Sequence, residues 1–380
     1  MHPSDLPRPD SSALAASRAL LDRIASDLAA HGNWIPFARY MDIALYEPEL
    51  GYYRGGNPLF GATGDFVTAP ELSPLFARTL ARQVAELLEP GDAILEFGAG
   101  SGALAEELLR ALAELGCGEP AYWILETSPG LRTRQRERLG TRARWITQLP
   151  QGFRGVMLAN EVVDAMPVHA LAWTRNGIFE RGVCANEGEL AWCERPAQGE
   201  ALSSALAIDV ALPPSGRYVS ELSLAARAWM RTVAESLERG ALIVIDYGFP
   251  QHEYYHAQRS TGTLMCHYRH RAHGDPFYLP GLQDITAHVD FSALAHSTSD
   301  AGLEVLGYAG QAQFLVNCGI TDVLAKVDAS DVRRYAPLAA AANRLLSPAE
   351  MGELFKVLVV GRGVKHALTG FAQGDRAHAL

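Results

Sequence analysis

The chain of 380 residues has no apolar run approaching the length of about 18 residues that a helix needs to cross a bilayer. Its longest apolar stretch near a strand, Ala241 to Ile245, is far shorter, so a soluble protein without a membrane span is expected. Cysteine is scarce. The five residues Cys117, Cys184, Cys193, Cys266 and Cys318 are scattered and form no CxxC pair, so neither a disulfide framework nor a zinc site is expected. Reduced thiols in a cytoplasmic protein fit that pattern. Basic residues are outnumbered, 33 Lys and Arg against 43 Asp and Glu, and the net charge of -10 disfavours a nucleic-acid partner. The first thirty residues mix Arg8, Arg18 and Arg23 with Asp5, Asp10, Asp22 and Asp27, which reads as neither an export signal nor an acid-poor transit peptide. Internal repeats and low-complexity tracts are also missing.

Periodicity then organises the chain. Leu14, Leu20, Leu21, Ile24 and Leu28 predict a helix over Ser11 to Ala30. Trp34 to Ser73 is aromatic and rich in Gly and Pro, and predicts ordered loop with short helix. After a helix from Pro74 to Leu88, strand and helix alternate, the pattern of a sheet covered on both faces. Strands are predicted at Ala93 to Phe97, Tyr122 to Glu126, Ala143 to Thr147, Val156 to Asn160 and Ala241 to Tyr247. Leu303 to Tyr308 and Phe355 to Val360 would complete seven. Helices are predicted at Ala103 to Leu115, Leu131 to Leu139 and Ser223 to Glu238, and the two-period stretch from Ala170 to Glu194 predicts an antiparallel insertion. The long segment Gly248 to Ser292, rich in His, Tyr, Gly and Pro, predicts a functional loop or lid.

The most informative segment is ILEFGAGSG, Ile94 to Gly102: an apolar strand ending in an acid, then Gly98, Gly100 and Gly102, then a helix. Glycines at such a junction let backbone approach a ligand, and the helix N-terminus offers free amide donors. With Ala103 in the last place the letters also satisfy the dinucleotide pattern GxGxxG/A. Glu96 argues against a pyrophosphate and for the ammonium and sulfonium of S-adenosyl-L-methionine. Glu126, in WILETSPG, ends the second strand where an acid accepts from a nucleoside ribose. The arginines from Arg132 to Arg144 are spaced around their helix and read as a solvated face.

Five further motifs carry a resemblance: ARYMDIALYEPELGYY (Ala38 to Tyr53), GDFVTAPELS (Gly64 to Ser73), NEVVDAMPVH (Asn160 to His169), QDITAHVDF (Gln283 to Phe291) and MGELFKVL (Met351 to Leu358). With the glycine loop they resemble the MidA-like family of S-adenosylmethionine-dependent methyltransferases over Ile35 to Gly363. Ala69, Pro74, Asn317 and Cys318 depart from the family's usual wording. The resemblance implies an α/β fold: a Rossmann-like seven-stranded class I methyltransferase sheet with helices on both faces, an N-terminal region, and an antiparallel and helical insertion region. It also implies methylation of a protein arginine, since the mitochondrial member is credited with symmetric dimethylation of an arginine in a complex I subunit. A protein substrate, with a respiratory complex subunit as one candidate, is the partner that follows. The oligomeric state stays open, a dimer included.

The expected division is 1–73 for the N-terminal helical and aromatic-loop region, with 74–169 and 215–250 as the cofactor-binding core. Residues 170–214 form a hairpin insertion, 251–300 a substrate-cleft or lid insertion, 301–363 the C-terminal part of the core, and 364–380 a flexible tail. The cofactor is expected to meet Glu96, Gly98, Ala99, Gly100, Gly102, Glu126, Asn160 and Glu161, with Asp65, Thr68, Pro70 and Glu71 closing over it. Methyl transfer to a guanidinium joins two cations, so carboxylates are needed and no metal is. Glu161 and Asp164, three apart on an expected helical turn, are the first choice for the acceptor nitrogen, with Asp284 and His288 as further catalytic candidates and Asp246 and Asp290 beside them. His267, His270 and His273 would make a metal comb on a helix, but the interleaved Arg269 and Arg271 argue against zinc. An NAD(P)-dependent oxidoreductase and a noncatalytic cofactor-binding assembly factor are the alternatives. A nucleic-acid amino-methyltransferase fits least, because the fourth strand ends in Asn160, Glu161, Val162, Val163 and not in an Asn-Pro-Pro-aromatic loop.

Overall fold

A computed structural model describes residues 6–55 and 68–380. The chain divides into two compact units, one of Met1–Phe66, Asp164–Ala228 and Gln251–His288, the other of Val67–Val163, Trp229–Pro250 and Val289–Leu380.

The second unit is built on a mixed sheet of eight strands: β1 (Ala93–Phe97), β2 (Ala121–Leu125), β3 (Arg144–Ile146), β4 (Phe153–Asn160), β5 (Leu237–Phe249), β6 (Val289–Asp290), β7 (Glu304–Gly310) and β8 (Phe355–Arg362). Seven lie in the order β7-β8-β5-β4-β1-β2-β3, and the two-residue β6 pairs with the end of β5. The expected seven strands are all present, and β6 is the addition that periodicity could not reveal, because two residues carry no period. Strands β1 to β5 are mutually parallel, whereas β8 runs antiparallel to both β5 and β7. The central strands β1, β4 and β5 are nearly continuous apolar runs because both sheet faces are covered. Chain order reverses between β1 and β4, which leaves a crevice at the carboxyl ends of these strands.

Helix Pro74–Leu87 buries Leu75, Phe76, Leu80, Val84 and Leu87, and helix Ala103–Glu114 buries Leu104, Leu108 and Leu112. Both join Ile94, Val156, Ile243, Phe314 and Val357 in one core. Pro74 occupies the first turn, where its missing N–H costs nothing, and Ser73 Oγ accepts from Leu75 N at 3.1 Å. The end of the chain is held to this unit, and the expected flexible tail is corrected accordingly. Leu368 and Phe371 are buried, Asn317 donates to the carbonyls of Gly370 and Gln373, and Asp375 accepts from Tyr308 N.

The first unit carries helix Ser11–Ala30, capped by Asp10, and helix Phe37–Tyr46, whose buried face is Phe37, Tyr40, Met41, Ala44 and Leu45. Its five-stranded antiparallel sheet joins Ile35–Pro36, His169–Thr174, Gly177–Asn186, Glu189–Pro196 and Arg217–Leu222. Arg217–Leu222 therefore belongs with this sheet and not with the core in which 215–250 was expected. The long segment after β5 also divides: Met265–Tyr268, Arg271–His273 and Asp284–Thr286 form a three-stranded sheet in this unit, while Val289 onward belongs to the other. Arg269 and His270, both at positive φ, make a two-residue hairpin turn. His267 and His273 are thus on paired strands and not on one helix. A further correction concerns the thiols, because Cys184 and Cys193 on adjacent strands form a disulfide with a Cα separation of 5.9 Å, while Cys117, Cys266 and Cys318 are free.

Two glycines let the central strands approach. A Cβ at Gly155 would lie 2.0 Å from Ala93 O, one at Gly240 would lie 1.9 Å from Gly155 O, and their φ values are +128° and +119°. Gly155→Ala is therefore expected to destabilise the protein by roughly 2–4 kcal/mol in urea unfolding, against under about 1 kcal/mol for Gly274→Ala, where a Cβ meets nothing within 4 Å and φ is not positive.

Candidate cofactor and acceptor sites

At the carboxyl end of β1 the chain turns through Gly98, Gly100 and Gly102 at φ values of +58°, +53° and +82°, and helix Ala103–Glu114 begins with no side-chain cap. Its first amides therefore have no side-chain cap. Gly98 N donates to Leu125 O at 3.0 Å and Gly102 N to Ala99 O at 2.8 Å, which pins the loop without using its exposed faces. Glu96 is buried at the end of β1 and accepts from the Tyr122 hydroxyl at 2.7 Å. Burial drives its pKa up to about 7, with the Tyr122 bond opposing and the neighbouring Glu126 adding to the rise.

Glu126, buried just beyond β2, accepts from Ser128 N at 2.8 Å and from Gln135 Nε2 at 3.0 Å, and Arg132 Nε donates to its backbone carbonyl at 2.7 Å. Burial raises its pKa, and the Ser128 and Gln135 bonds oppose that rise. Helix Ala69–Leu72 carries Pro70 in its first turn and Thr68 as its N-cap. Glu71 accepts from Ser101 Oγ, which itself accepts from Arg138 at 2.7 Å, so Glu71 stands against the glycine loop. Two of the arginines read as solvated thus fasten the loop and its acid. Asp65 lies outside the described residues.

At the end of β4, Asn160 Nδ2 donates to Glu161 Oε1 at 3.1 Å, while the buried Asn160 Oδ1 has no hydrogen-bond partner among the described residues. Glu161 is left-handed at φ +53°, its N–H donating to Ile245 O at 2.9 Å. The next turn is held by Asp246, fully buried, which accepts from Val163 N and Tyr247 N, each at 2.9 Å. No helical turn spans Glu161 to Asp164, so the expected common helical face is corrected. A buried carboxylate sets this backbone instead.

In the first unit, buried Asp284 accepts from the Tyr53 hydroxyl at 2.8 Å. The Tyr53 pKa is pushed well up, first by burial, then by Asp284, Tyr46 and Asp164, so the phenol stays a donor among two carboxylates. Tyr46 stacks on Tyr53 at 5.5 Å and donates to Ala165 O at 3.0 Å, next to Asp164. Ala287 N donates to Asp164 O at 3.0 Å, tying the two acidic segments together. The half-buried His288 donates its N–H to Thr263 Oγ1, and Thr263 donates both its N–H and its hydroxyl to buried Glu221. Glu221 and Tyr53 escaped the sequence reading. Glu221 sits in an unremarked strand, and Tyr53 was one aromatic among many.

Residues 75–309 match a family model described as "Putative S-adenosyl-L-methionine-dependent methyltransferase". The chain belongs to this methyltransferase family. It is 31% identical over 92% of its length to the mitochondrial protein arginine methyltransferase NDUFAF7 of Danio rerio, covering 88% of that protein. The Drosophila melanogaster homologue of that mitochondrial enzyme is 28% identical, over 97% of this chain and 92% of its own. A crystal structure from Burkholderia thailandensis of a "likely methyl transferase" bound to S-adenosyl-homocysteine superposes with a TM-score of 0.94 at 52% identity, covering 99% of this chain and 100% of that one. The MidA-like resemblance is thereby borne out and the oxidoreductase alternative set aside. The expected cytoplasmic localisation is corrected by the same relatives, which are named as mitochondrial proteins.

The cofactor of this methyltransferase is S-adenosyl-L-methionine, and the residues present fit it. Glu96 offers a carboxylate to an ammonium, Glu126 retains lone pairs for ribose hydroxyls, and Asn160 Oδ1 is a buried acceptor without a partner among the described residues. A side chain on Gly98 would be strained by its φ and would meet Val162 at 3.4 Å. Gly98→Val is expected to weaken S-adenosyl-homocysteine binding at least about tenfold in calorimetry.

The raised Glu96 pKa has a definite sign. Folded protein binds the extra proton, so this contribution to stability is complete below the ordinary 4.5 and lost as pH rises through about 7. Unliganded protein should lose up to about 3 kcal/mol over that window. S-adenosyl-homocysteine affinity should rise over it as Glu96 ionises. Glu96→Gln is expected to flatten both curves, measured by urea unfolding and calorimetry across pH 4.5 to 8.

Proposed function

We propose that this methyltransferase modifies a protein substrate on an arginine guanidinium nitrogen, with a respiratory complex subunit as the substrate class. The observation that carries the proposal is the buried carboxylate pair around Tyr53, Asp284 and Asp164, a negative, hydrogen-bonding environment suited to a planar cation. The names of the zebrafish and fly relatives support the same acceptor. The row β7-β8-β5-β4-β1-β2-β3 supports reading the sheet as a Rossmann-like class I methyltransferase sheet with β6 as an extra strand.

The bound cofactor supplies an electrophilic methyl group on a sulfonium. Glu96, Asn160 and the loop from Gly98 to Gly102 hold its amino-acid end, Glu126 its ribose, and Thr68, Pro70 and Glu71 cover the loop. Asp284, oriented by the Tyr53 hydroxyl, and Asp164 bind the guanidinium and fix its plane. As the nitrogen–carbon bond forms, the carbon–sulfur pair stays on sulfur, giving S-adenosyl-homocysteine, and the nitrogen's proton passes to a carboxylate. Glu161, bonded by Asn160 Nδ2 just beyond β4, is a further carboxylate on the cofactor side. His288, anchored through Thr263 to Glu221, acts as a polar wall of the acceptor side.

Tritiated methyl transfer from S-adenosyl-L-methionine into a cell extract is expected to label a protein on arginine, and label confined to another residue type or to small molecules would overturn the reading. Asp284→Asn and Asp164→Asn should each cut the transfer at least about a hundredfold while S-adenosyl-homocysteine binding changes less than about threefold. Undiminished transfer by both variants would remove the carboxylate pair from the mechanism.

A further inference from the structure

Gln135 stands among the hydrogen bonds of the cofactor side in an unusual position. It is fully buried on helix Pro129–Leu139, and its single amide joins three separate elements. Nε2 donates to Gly100 O at 2.9 Å and to Glu126 Oε2 at 3.0 Å, while Oε1 accepts from Trp145 Nε1, on β3, at 2.8 Å. The amide cannot be turned over. An indole N–H only donates, and a carbonyl and an ionised carboxylate only accept, so the partners dictate which end faces which. Both of its N–H groups and its oxygen are used. Trp145 is held in turn under the Arg136 guanidinium at 5.2 Å.

We infer that Gln135 is a positioning residue for cofactor binding: it fixes the spacing between the glycine-loop backbone and the Glu126 carboxylate, and Trp145 fixes Gln135. The inference rests on the reading of Glu126 as the ribose acceptor. Two features separate this from ordinary core packing. The two groups tied together approach the cofactor from neighbouring strand ends, and a buried carboxylate with both oxygens already engaged has only a narrow range of directions left for ribose hydroxyls. Removing the amide would leave Gly100 O, Glu126 Oε2 and the Trp145 indole without this partner, so the loop and the acid would no longer keep a common register.

Calorimetry of the full chain with S-adenosyl-homocysteine tests this on Gln135→Met, Glu126→Ala, the double variant and Gln135→Glu. Gln135→Met keeps the volume and loses the amide. It should weaken binding about tenfold or more, and that effect should shrink below about threefold in the Glu126→Ala background, because the tie then has nothing to position. Additive losses, or near-parental binding by Gln135→Met when Glu126→Ala is impaired, would overturn the positioning role alone. Normal binding by Glu126→Ala would overturn the ribose reading and the inference with it.

Should Gln135→Met fail to fold by circular dichroism, Gln135→Glu decides. Its new carboxyl would face Glu126, with Glu96 and the Arg132 guanidinium as the neighbouring charges. Taken as a ratio to the parent at each pH, which removes the titration of Glu96, its affinity should be low at pH 8. It should recover toward pH 5 as the added carboxyl takes a proton and donates again. A ratio that does not change with pH would overturn the inference, since a packing defect has no proton to regain.

Discussion

Two carboxylates, Glu96 and Glu126, stand buried at the ends of adjacent parallel strands, and much of the cofactor side is arranged to make that burial tolerable. A buried acid needs donors. Tyr122 reaches Glu96 from the neighbouring strand, while Glu126 draws on the backbone beyond its own strand and on an amide from the following helix. The same donors fix which lone pairs remain for a ligand. Tolerating the acids and shaping the site are one physical task, performed by hydrogen bonds that span β1, β2, β3 and the helix between the last two.

The crevice itself follows from topology. With β2 and β3 on one side of β1 and β4 on the other, the loops leaving β1 and β4 part company at their carboxyl ends, and the glycine loop can lie there. Asp246 performs a comparable task one strand away, where its carboxylate bonds two backbone amides and holds the turn after the left-handed Glu161. Buried acids thus define this edge by two routes, as acceptors of side-chain and backbone donors at the ends of β1 and β2 and as clamps on backbone.

The first unit handles its acids differently. Asp284 is paired with a phenol whose own ionisation is suppressed by burial and by the negative charge around it, so the pair keeps its net charge while its geometry is fixed. The disulfide between Cys184 and Cys193 and the Trp34 indole bonded to Cys193 O stiffen the antiparallel sheet of the same unit. Glu221, Thr263 and His288 form a second polar chain there, drawn from three segments distant in sequence.

By itself the sequence determined the parallel core, its strands and most of its helices, because local periodicity and apolar runs report burial directly. It also determined the glycine loop with its two acids, since strand, acid, glycines and helix follow one another without a gap, and the family, since its motifs are contiguous. Only the tertiary structure decided which acids share an environment. Tyr53 and Asp284 are 231 residues apart, and Val163 and Asp246 are 83 apart, so no local pattern could join them. The turn at Glu161, the hairpin that separates His267 from His273, and the placement of Arg217–Leu222 in the antiparallel sheet were likewise beyond the sequence. A turn with positive φ or a strand's choice of partner depends on contacts made elsewhere in the chain. Gln135 shows the same division: its letter announces only a polar residue in an arginine-rich helix, and its meaning comes from the three elements that folding brings to its amide.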